Sequence, residues 1–416
     1  MNKISHHEED RRSHSGAWER EPRDLVSSSD LFCDGDWVES KDQDKSGSVR
    51  LIQLADIGDG FFTNKSNRFM NIETAKRLNC TFLKKGDLLI ARMPDPLGRC
   101  CVFPFDEEEK YVTVVDIAVL RLKDNFENSY VKNMINSSQV RHDIFCQITG
   151  TTRQRITRKK LEKLKIPLPP LAEQKKIASI LDAADRLKQK DQQLIAKYNA
   201  LSQSLFLDMF GDPVTNPNQW KHKALGDICG VGSGKRVFTN ELVKEGVPFY
   251  RGTEVGHLGE GIKIKPKLFI TKKHYEELKK HTGVPQKGDL LLPSICADGR
   301  IYIVSNMESF YFKDGRVLWI KVNHLNVSSV YLKSSLQHVF HTNYSNIASG
   351  TTFAELKIIA LKKVQILLPP ITLQNQFAER IQAIEAQKKQ AQAALQKSED
   401  LFNSLLQRAF KGELTA

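Results

Sequence analysis

Apolar residues recur every three or four positions through two long stretches of this 416-residue chain. In the first, the repeating positions hold Ile177, Ile180, Ala184, Leu187, Asp191, Leu194, Tyr198, Leu201 and Leu205. In the second they hold Phe377, Ile381, Ile384, Lys388, Ala391, Leu395, Ser398, Phe402 and Leu405. Such spacing is a heptad seam, the mark of one helix packed along another. Pro169-Pro170 and Pro369-Pro370 stop the preceding strands and set the helix starts. Gly211 and Gly412 mark the ends. The pattern predicts helices over 171–210 and within 371–416, each a rod of roughly 60 Å. Two matched seams predict that the helices pack on each other, antiparallel if a two-fold axis relates them. Start-to-end pairing then sets position 191 near 390, which makes Asp191 and Lys388 the expected register pair.

Shorter β-rich runs, broken by turn residues, fill the rest: 49–57, 87–92, 99–105 and 111–122, then 247–255, 289–295, 300–304 and 315–322. Helices are predicted at 71–79, 128–146, 273–280 and 330–341. The two sets answer each other. Gly150 to Gln174 aligns with Gly350 to Gln374 without a gap, sharing Gly-Thr-Thr, Leu161/Leu361, Lys163/Lys363, Ile166/Ile366, Leu168/Leu368, the proline pairs and the glutamines. Upstream, Lys85-Gly-Asp-Leu-Leu89 matches Lys287-Gly-Asp-Leu-Leu291, Gly98-Arg99 matches Gly299-Arg300, and Tyr130 and Lys132 match Tyr331 and Lys333. The reading is an α+β chain of two mixed domains, 31–170 and 211–370, separated by the long helices and related by a pseudo-two-fold axis. Residues 1–30 are charged and aperiodic, a mobile tail.

Composition changes this picture in one respect. Sixty-two Lys and Arg against 49 Asp and Glu give a net charge of +13, which favours a polyanionic partner, nucleic acid first. No run of about 18 apolar residues exists to span a membrane. The N-terminus has no apolar core of a secretory signal. Seven cysteines without a C-x-x-C pair suggest neither a disulfide framework nor a zinc site, and a reducing cytoplasm is the simplest setting.

Catalytic chemistry is hard to find. In GVGSGKR (230–236), Cys229 stands where a phosphate loop needs its first Gly and Arg236 where it needs Ser or Thr. Asp95, Glu108 and Lys110 spell the letters of a Mg-dependent nuclease, the one alternative reading with a cleavage centre, but the second half has no equivalent. No Asn-Pro-Pro-aromatic methyltransferase tetrapeptide is present. A purely scaffolding coiled coil is a third reading, and it predicts no sequence-selective DNA binding. The basic residues point elsewhere. Arg153, Arg155, Arg158 and Lys159 follow the first Gly-Thr-Thr turn and suit phosphate contact, as do Lys235 and Arg236. Thr151 and Thr351 belong to the turns themselves. Arg92, Arg99, Arg251, Thr253 and Arg300 lie at strand ends or turns, where side chains reach a DNA groove.

A divergent domain, Gly-Thr-Thr, I-x-L-P-P and a Gln-bearing long helix, then all of it again, resembles the specificity subunit of type I restriction-modification enzymes. RLIQLADIGDG (50–60) and GDLLIARMPDPLGR (86–99) resemble that family's target-recognition domains. The resemblance covers about residue 30 to the end and implies a non-catalytic DNA-binding subunit. Each target-recognition domain would read one half of a bipartite, asymmetric site in double-stranded DNA. The paired helices would set the spacing and dock two methyltransferase subunits, which bind S-adenosylmethionine and methylate adenine. Restriction subunits using ATP and Mg would complete the nuclease. This chain itself would hold no cofactor.

Overall fold

The computed structural model describes residues 22–148, 154–305, 309–350 and 354–414. The chain divides into two compact units, Met1–Gln192 with Ala393–Ala416, and Gln193–Gln392. The first unit runs β1 (Arg23–Asp24), β2 (Ser29–Asp34), β3 (Val49–Ile52), β4 (Arg68–Met70), α1 (Ile72–Arg77), β5 (Leu88–Ala91), β6 (Cys100–Val102), β7 (Tyr111–Thr113) and β8 (Ile117–Leu122). It continues through α2 (Asn128–Ile135), α3 (Ser138–Cys146), α4 (Arg158–Glu162) and β9 (Lys165–Ile166) into α5 (Leu171–Phe210). Its main sheet has the order β2-β8-β5-β6, all antiparallel. A smaller sheet, β4-β3-β7, pairs β3 antiparallel with β4 and parallel with β7. Both faces of the main sheet are covered. Leu88, Ile90, Ala118 and Leu120 join the core beneath α2, α3 and the long helices. Leu89, Ala91, Ile117 and Val119 join a second core with Ile52 and Phe103. A strand buried on both faces has no polar side, so these runs read as unbroken apolar sequence.

The second unit repeats this plan. Its elements are β10 (Lys221–Ala224), α6 (Leu225–Ile228), β11 (Gly230–Ser233), β12 (Leu242–Val243), β13 (Val247–Tyr250), α7 (Gly252–Gly259), β14 (Phe269–Ile270), α8 (Lys272–Thr282), β15 (Leu290–Pro293), β16 (Tyr302–Ile303), β17 (Tyr311–Phe312) and β18 (Val317–Lys321). Then follow α9 (Ser329–Ile347), α10 (Ile358–Lys363), β19 (Gln365–Leu368) and α11 (Ile371–Lys411). Sheet order β11-β18-β15-β16 mirrors β2-β8-β5-β6, and β14-β13-β17, with β12 added at its edge, mirrors β4-β3-β7, including the parallel β13–β17 pair.

The identical residues of the repeat turn out to be joints. Gln174 and Gln374 are buried, and each amide oxygen accepts from the backbone ahead of a helix, Glu127 N at 2.9 Å and Ser328 N at 2.9 Å. Each amide nitrogen donates to the first carbonyl of its proline pair, Pro169 at 2.6 Å and Pro369 at 2.9 Å. The Tyr130 hydroxyl donates to the Pro167 carbonyl and the Tyr331 hydroxyl to that of Leu367. In the Lys-Gly-Asp turns, Gly86 and Gly288 take φ of 94° and 90°. Asp87 and Asp289 are buried, accepting from the amides of Lys84 and Gln286. A buried amide or carboxylate with its partners met is costly to change.

The long helices match the predicted bounds, and Gly211 and Gly412 close them at φ of 76° and 75°. In the first unit, Ile177, Ala178 and Leu181 at the start of α5 share a core with Leu406 and Ala409 near the end of α11, so the two run antiparallel. In the second, Phe206 and Phe210 at the end of α5 meet Phe377 at the start of α11.

Four expectations need correction. First, the seam of α11 faces inward as predicted, and so do Ile177, Ala184, Asp191, Tyr198 and Leu205 of the α5 seam, but its other four positions do not. Ile180, Leu187, Leu194 and Leu201 are 37%, 46%, 40% and 50% exposed, while Leu181, Lys188, Ile195 and Ser202 lie further inward. Each of these inward positions precedes a seam position of α11 by 200 residues. Equivalent positions face the twin helix even where a neighbouring stripe is the more apolar. Second, the register pair does not form. Asp191 accepts a hydrogen bond from the Ser398 hydroxyl, and Lys388 pairs with Glu385 on its own helix at 3.5 Å. Position 191 meets 398 instead of 390, a shift of eight residues, a little over two helical turns, because the helices do not pack flush at their ends. Third, the tail is shorter than 1–30. Arg23–Asp24 pairs with β9 as β10 pairs with β19, and Leu25 is fully buried. Residues 1–21 lie outside the described residues. The helix predicted over 128–146 is also two, broken where the Asn136 side chain bonds the Cys100 backbone and Ser137 caps α3.

Candidate nucleic-acid interface

The arginines named from sequence divide by what holds them. Arg92 is buried. Its guanidinium donates to the carbonyls of Ile156 (3.1 Å) and Val115 (3.2 Å) and pairs with Asp34. Arg99 is buried too and donates to the carbonyls of Ile57 (2.6 Å), Leu54 (2.9 Å) and Pro96 (3.0 Å). Burial pushes both guanidinium pKa values down. Neither side chain can reach a groove while it satisfies these carbonyls, so the assignment of Arg92 and Arg99 to base reading is corrected. They are brackets that hold loops to the main sheet.

Arg155 and Arg158 gather beside Arg92. Arg155 pairs with Asp116 at 2.9 Å and donates to the Val115 carbonyl that Arg92 also uses. Arg158 pairs with Glu162 and, at 3.5 Å, with Asp34. Three cations thus share three carboxylates, and the group ties the start of α4 to β2 and the β7–β8 turn. Lys159 on α4 is exposed. Thr151, Arg153 and Thr351 lie outside the described residues.

In the second unit, Arg251 and Thr253 are exposed at the start of α7. Arg251 pairs with Glu254 at 2.6 Å, and that carboxylate raises the Arg251 pKa. Arg300 is held by Asp298 at 2.6 Å, which raises its pKa likewise. Lys235 and Arg236 are exposed in the loop after β11, with Arg236 lying 5.2 Å over the half-exposed ring of Phe238. Such an exposed cation beside an aromatic suits a phosphate and sugar surface.

The nuclease letters gather no centre. Asp95, Glu108 and Lys110 are exposed, and among the described residues no group of three or more His, Cys, Asp and Glu could hold a metal ion.

One residue that sequence reasoning passed over organises the surface of the first unit. Asp56 is fully buried at the head of the β3–β4 connection. Its carboxylate accepts from the amides of Gln53 (2.8 Å), Lys65 (2.6 Å) and Ser66 (2.8 Å), from the Ser66 hydroxyl, and from Arg50 at 3.1 Å. One side chain thereby sets the course of the loop 63–66. The second unit keeps the motif in altered form, with Glu254 accepting from the Arg251 amide as Asp56 does from Gln53. The signal was an acid four residues after the end of a strand, with a capping role toward the residue three before it that needs no long-range contact.

Known proteins place this architecture. The family described as type I restriction modification DNA specificity domain matches residues 30–197 and again 217–397. A Haemophilus influenzae protein named as a type I restriction enzyme specificity subunit is 28% identical over 271 residues, 64% of this chain and 65% of that one. The MjaVIII specificity subunit of Methanocaldococcus jannaschii is 26% identical, over 58% of this chain and 59% of that protein. Both matches span under two thirds of the relative's length. The MjaIX specificity subunit of the same organism is 23% identical over 88% of this chain and 87% of its own. The S subunit of a type I system from M. genitalium has the same fold, with a TM-score of 0.53 at 17% identity, covering 96% of this chain and 98% of that one. With the family matching each half of a chain whose two units share one topology, the protein belongs to the type I restriction-modification DNA specificity family.

Proposed function

We propose that this chain is the DNA-reading, non-catalytic specificity subunit of a type I restriction-modification system. Each unit reads one half of a bipartite, asymmetric site, and the long helices set the distance between the halves. Two methyltransferase subunits dock on the helices, bind S-adenosylmethionine and methylate adenine, and restriction subunits add ATP- and Mg-dependent cleavage. The observation that carries this reading is one strand topology built twice with unlike surfaces. The joints are identical, Gln174 with Gln374 and Asp87 with Asp289, while the exposed connections differ in length and charge. Two different readers on one symmetrical frame call for two different half-sites. The test is single-molecule sequencing of host DNA with and without this gene. Loss of adenine methylation from one bipartite motif is expected, and an unchanged methylation pattern would refute the proposal.

The outward stripe of α5 supports docking. Ile180, Leu187, Leu194 and Leu201 recur every seven residues on an exposed face, the spacing a further helix would need. The equivalent positions of α11 hold Arg380, Gln387, Ala394 and Leu401, so the two docking faces are unequal. Replacing Leu194 and Leu201 together by lysine is expected to leave a complex with one methyltransferase subunit in place of two, read as mass by light scattering. A full complex would remove α5 from the docking surface.

A further inference from the structure

The connection between β3 and β4 and that between β13 and β14 hold the same place in the two units, each leaving the strand that pairs in parallel with the next edge. Both end in exposed basic residues. In the first unit Lys65 and Arg68 are exposed, on a backbone pinned by Asp56. In the second, Lys263, Lys265 and Lys267 are exposed and alternate with Ile264, Pro266 and Leu268, which lie further inward. Ile264 packs on the core of Val255 and Tyr302, and Leu268 on that of Phe249 and Ile270. A segment anchored in the core at Ile264 and Leu268 holds its exposed lysines at alternate positions outside.

These cations differ from the arginines described above. Arg92, Arg99, Arg155, Arg158, Arg251 and Arg300 are each engaged by carbonyls or carboxylates. Among the described residues, none of Lys65, Arg68, Lys263, Lys265 and Lys267 has a carboxylate within 4.0 Å. A cation with no internal partner, fixed from below by its neighbours, can meet a phosphate without first breaking an ion pair.

We propose that these two connections make DNA-backbone contacts, Lys65 and Arg68 in one half-site and Lys263, Lys265 and Lys267 in the other. This rests on the DNA-reading function proposed above. The test uses the complete methyltransferase complex and fluorescent duplexes with and without the methylated motif, titrated at several salt concentrations. Each lost phosphate contact lowers the slope of log affinity against log salt by about 0.9. The K65A/R68A variant is expected to lose about 1.8 and K263A/K265A/K267A about 2.7, with the triple variant on the order of a hundredfold weaker at 0.1 M salt on both duplexes. K263R/K265R/K267R is expected to keep the wild-type slope. An unchanged slope in either alanine variant overturns the assignment for that unit, and a loss shared by the arginine variant overturns a role for charge. Wild-type complex that binds neither duplex refutes DNA reading itself, a separate outcome.

Discussion

Asp56→Ala is expected to destabilise the first unit by about 3–5 kcal/mol, the scale for removing one partner of a buried charge pair. Asp56 is fully buried and accepts from five donors. The alanine leaves the amides of Lys65 and Ser66 without an acceptor and Arg50 without its ion pair. Each orphaned buried donor costs about 1–3 kcal/mol, although part of that is recovered where loop 63–66 opens to water. Asp56→Asn should fall between, because its amide accepts on one atom only. Hydrogen exchange read by mass spectrometry distinguishes the cases. Faster exchange is expected first at residues 63–66, then across β3 and β4. Exchange unchanged in that loop would show that Asp56 does not hold it. Because this loop carries Lys65 and leads into Arg68, the same variant should weaken DNA binding without removing a cation.

Phe377→Ala is expected to cost the second unit a similar amount, about 3–5 kcal/mol. Phe377 is fully buried, edge-on to Phe210 at 5.2 Å and to Phe206 at 5.8 Å, and Phe210 packs edge-on to Tyr331 at 4.7 Å. The cluster joins the start of α11, the end of α5 and α9. Removing its central ring leaves a cavity and ends two aromatic contacts of about 0.5–1.5 kcal/mol each. The first unit solves the equivalent position with Ile177, among Tyr130 and Leu406. Phe377→Ile should therefore be tolerated better than Phe377→Ala; the difference between their urea midpoints measures the buried bulk, and that between wild type and Phe377→Ile measures what the ring itself contributes. Equal midpoints for the two variants would mean that aliphatic bulk does not replace the ring there.

Much of this architecture was legible because it is local or repeated. The heptads of α5 and α11, their proline starts and their glycine ends are set by backbone constraints that hold wherever the helix packs. The Lys-Gly-Asp turns are legible for the same reason, since Gly86 and Gly288 need positive φ. Duplication made the rest readable at family level, for a residue kept 200 positions apart, as Gln174 and Gln374 are, points to the same joint made twice. The same offset could also have shortened the tail, since β1 stands where β10 stands in the repeat.

What escaped was the destination of side chains. Arg92 and Arg99 sit at strand ends beside turns, a place that serves equally for reaching DNA and for bracing carbonyls; only the positions of Ile156, Ile57 and Leu54 in space decide for bracing. Asp191 and Lys388 are the polar residues of two seams, but their partners depend on a stagger that neither helix encodes alone. Likewise Ile180, Leu187, Leu194 and Leu201 form the more apolar stripe, and the twin helix takes the stripe beside it. Composition and period determine which elements exist and how often, because hydrophobicity and backbone geometry act within a few residues. Which face meets which partner, and which cations remain for DNA, was settled by packing, because that choice is made among residues far apart in the chain.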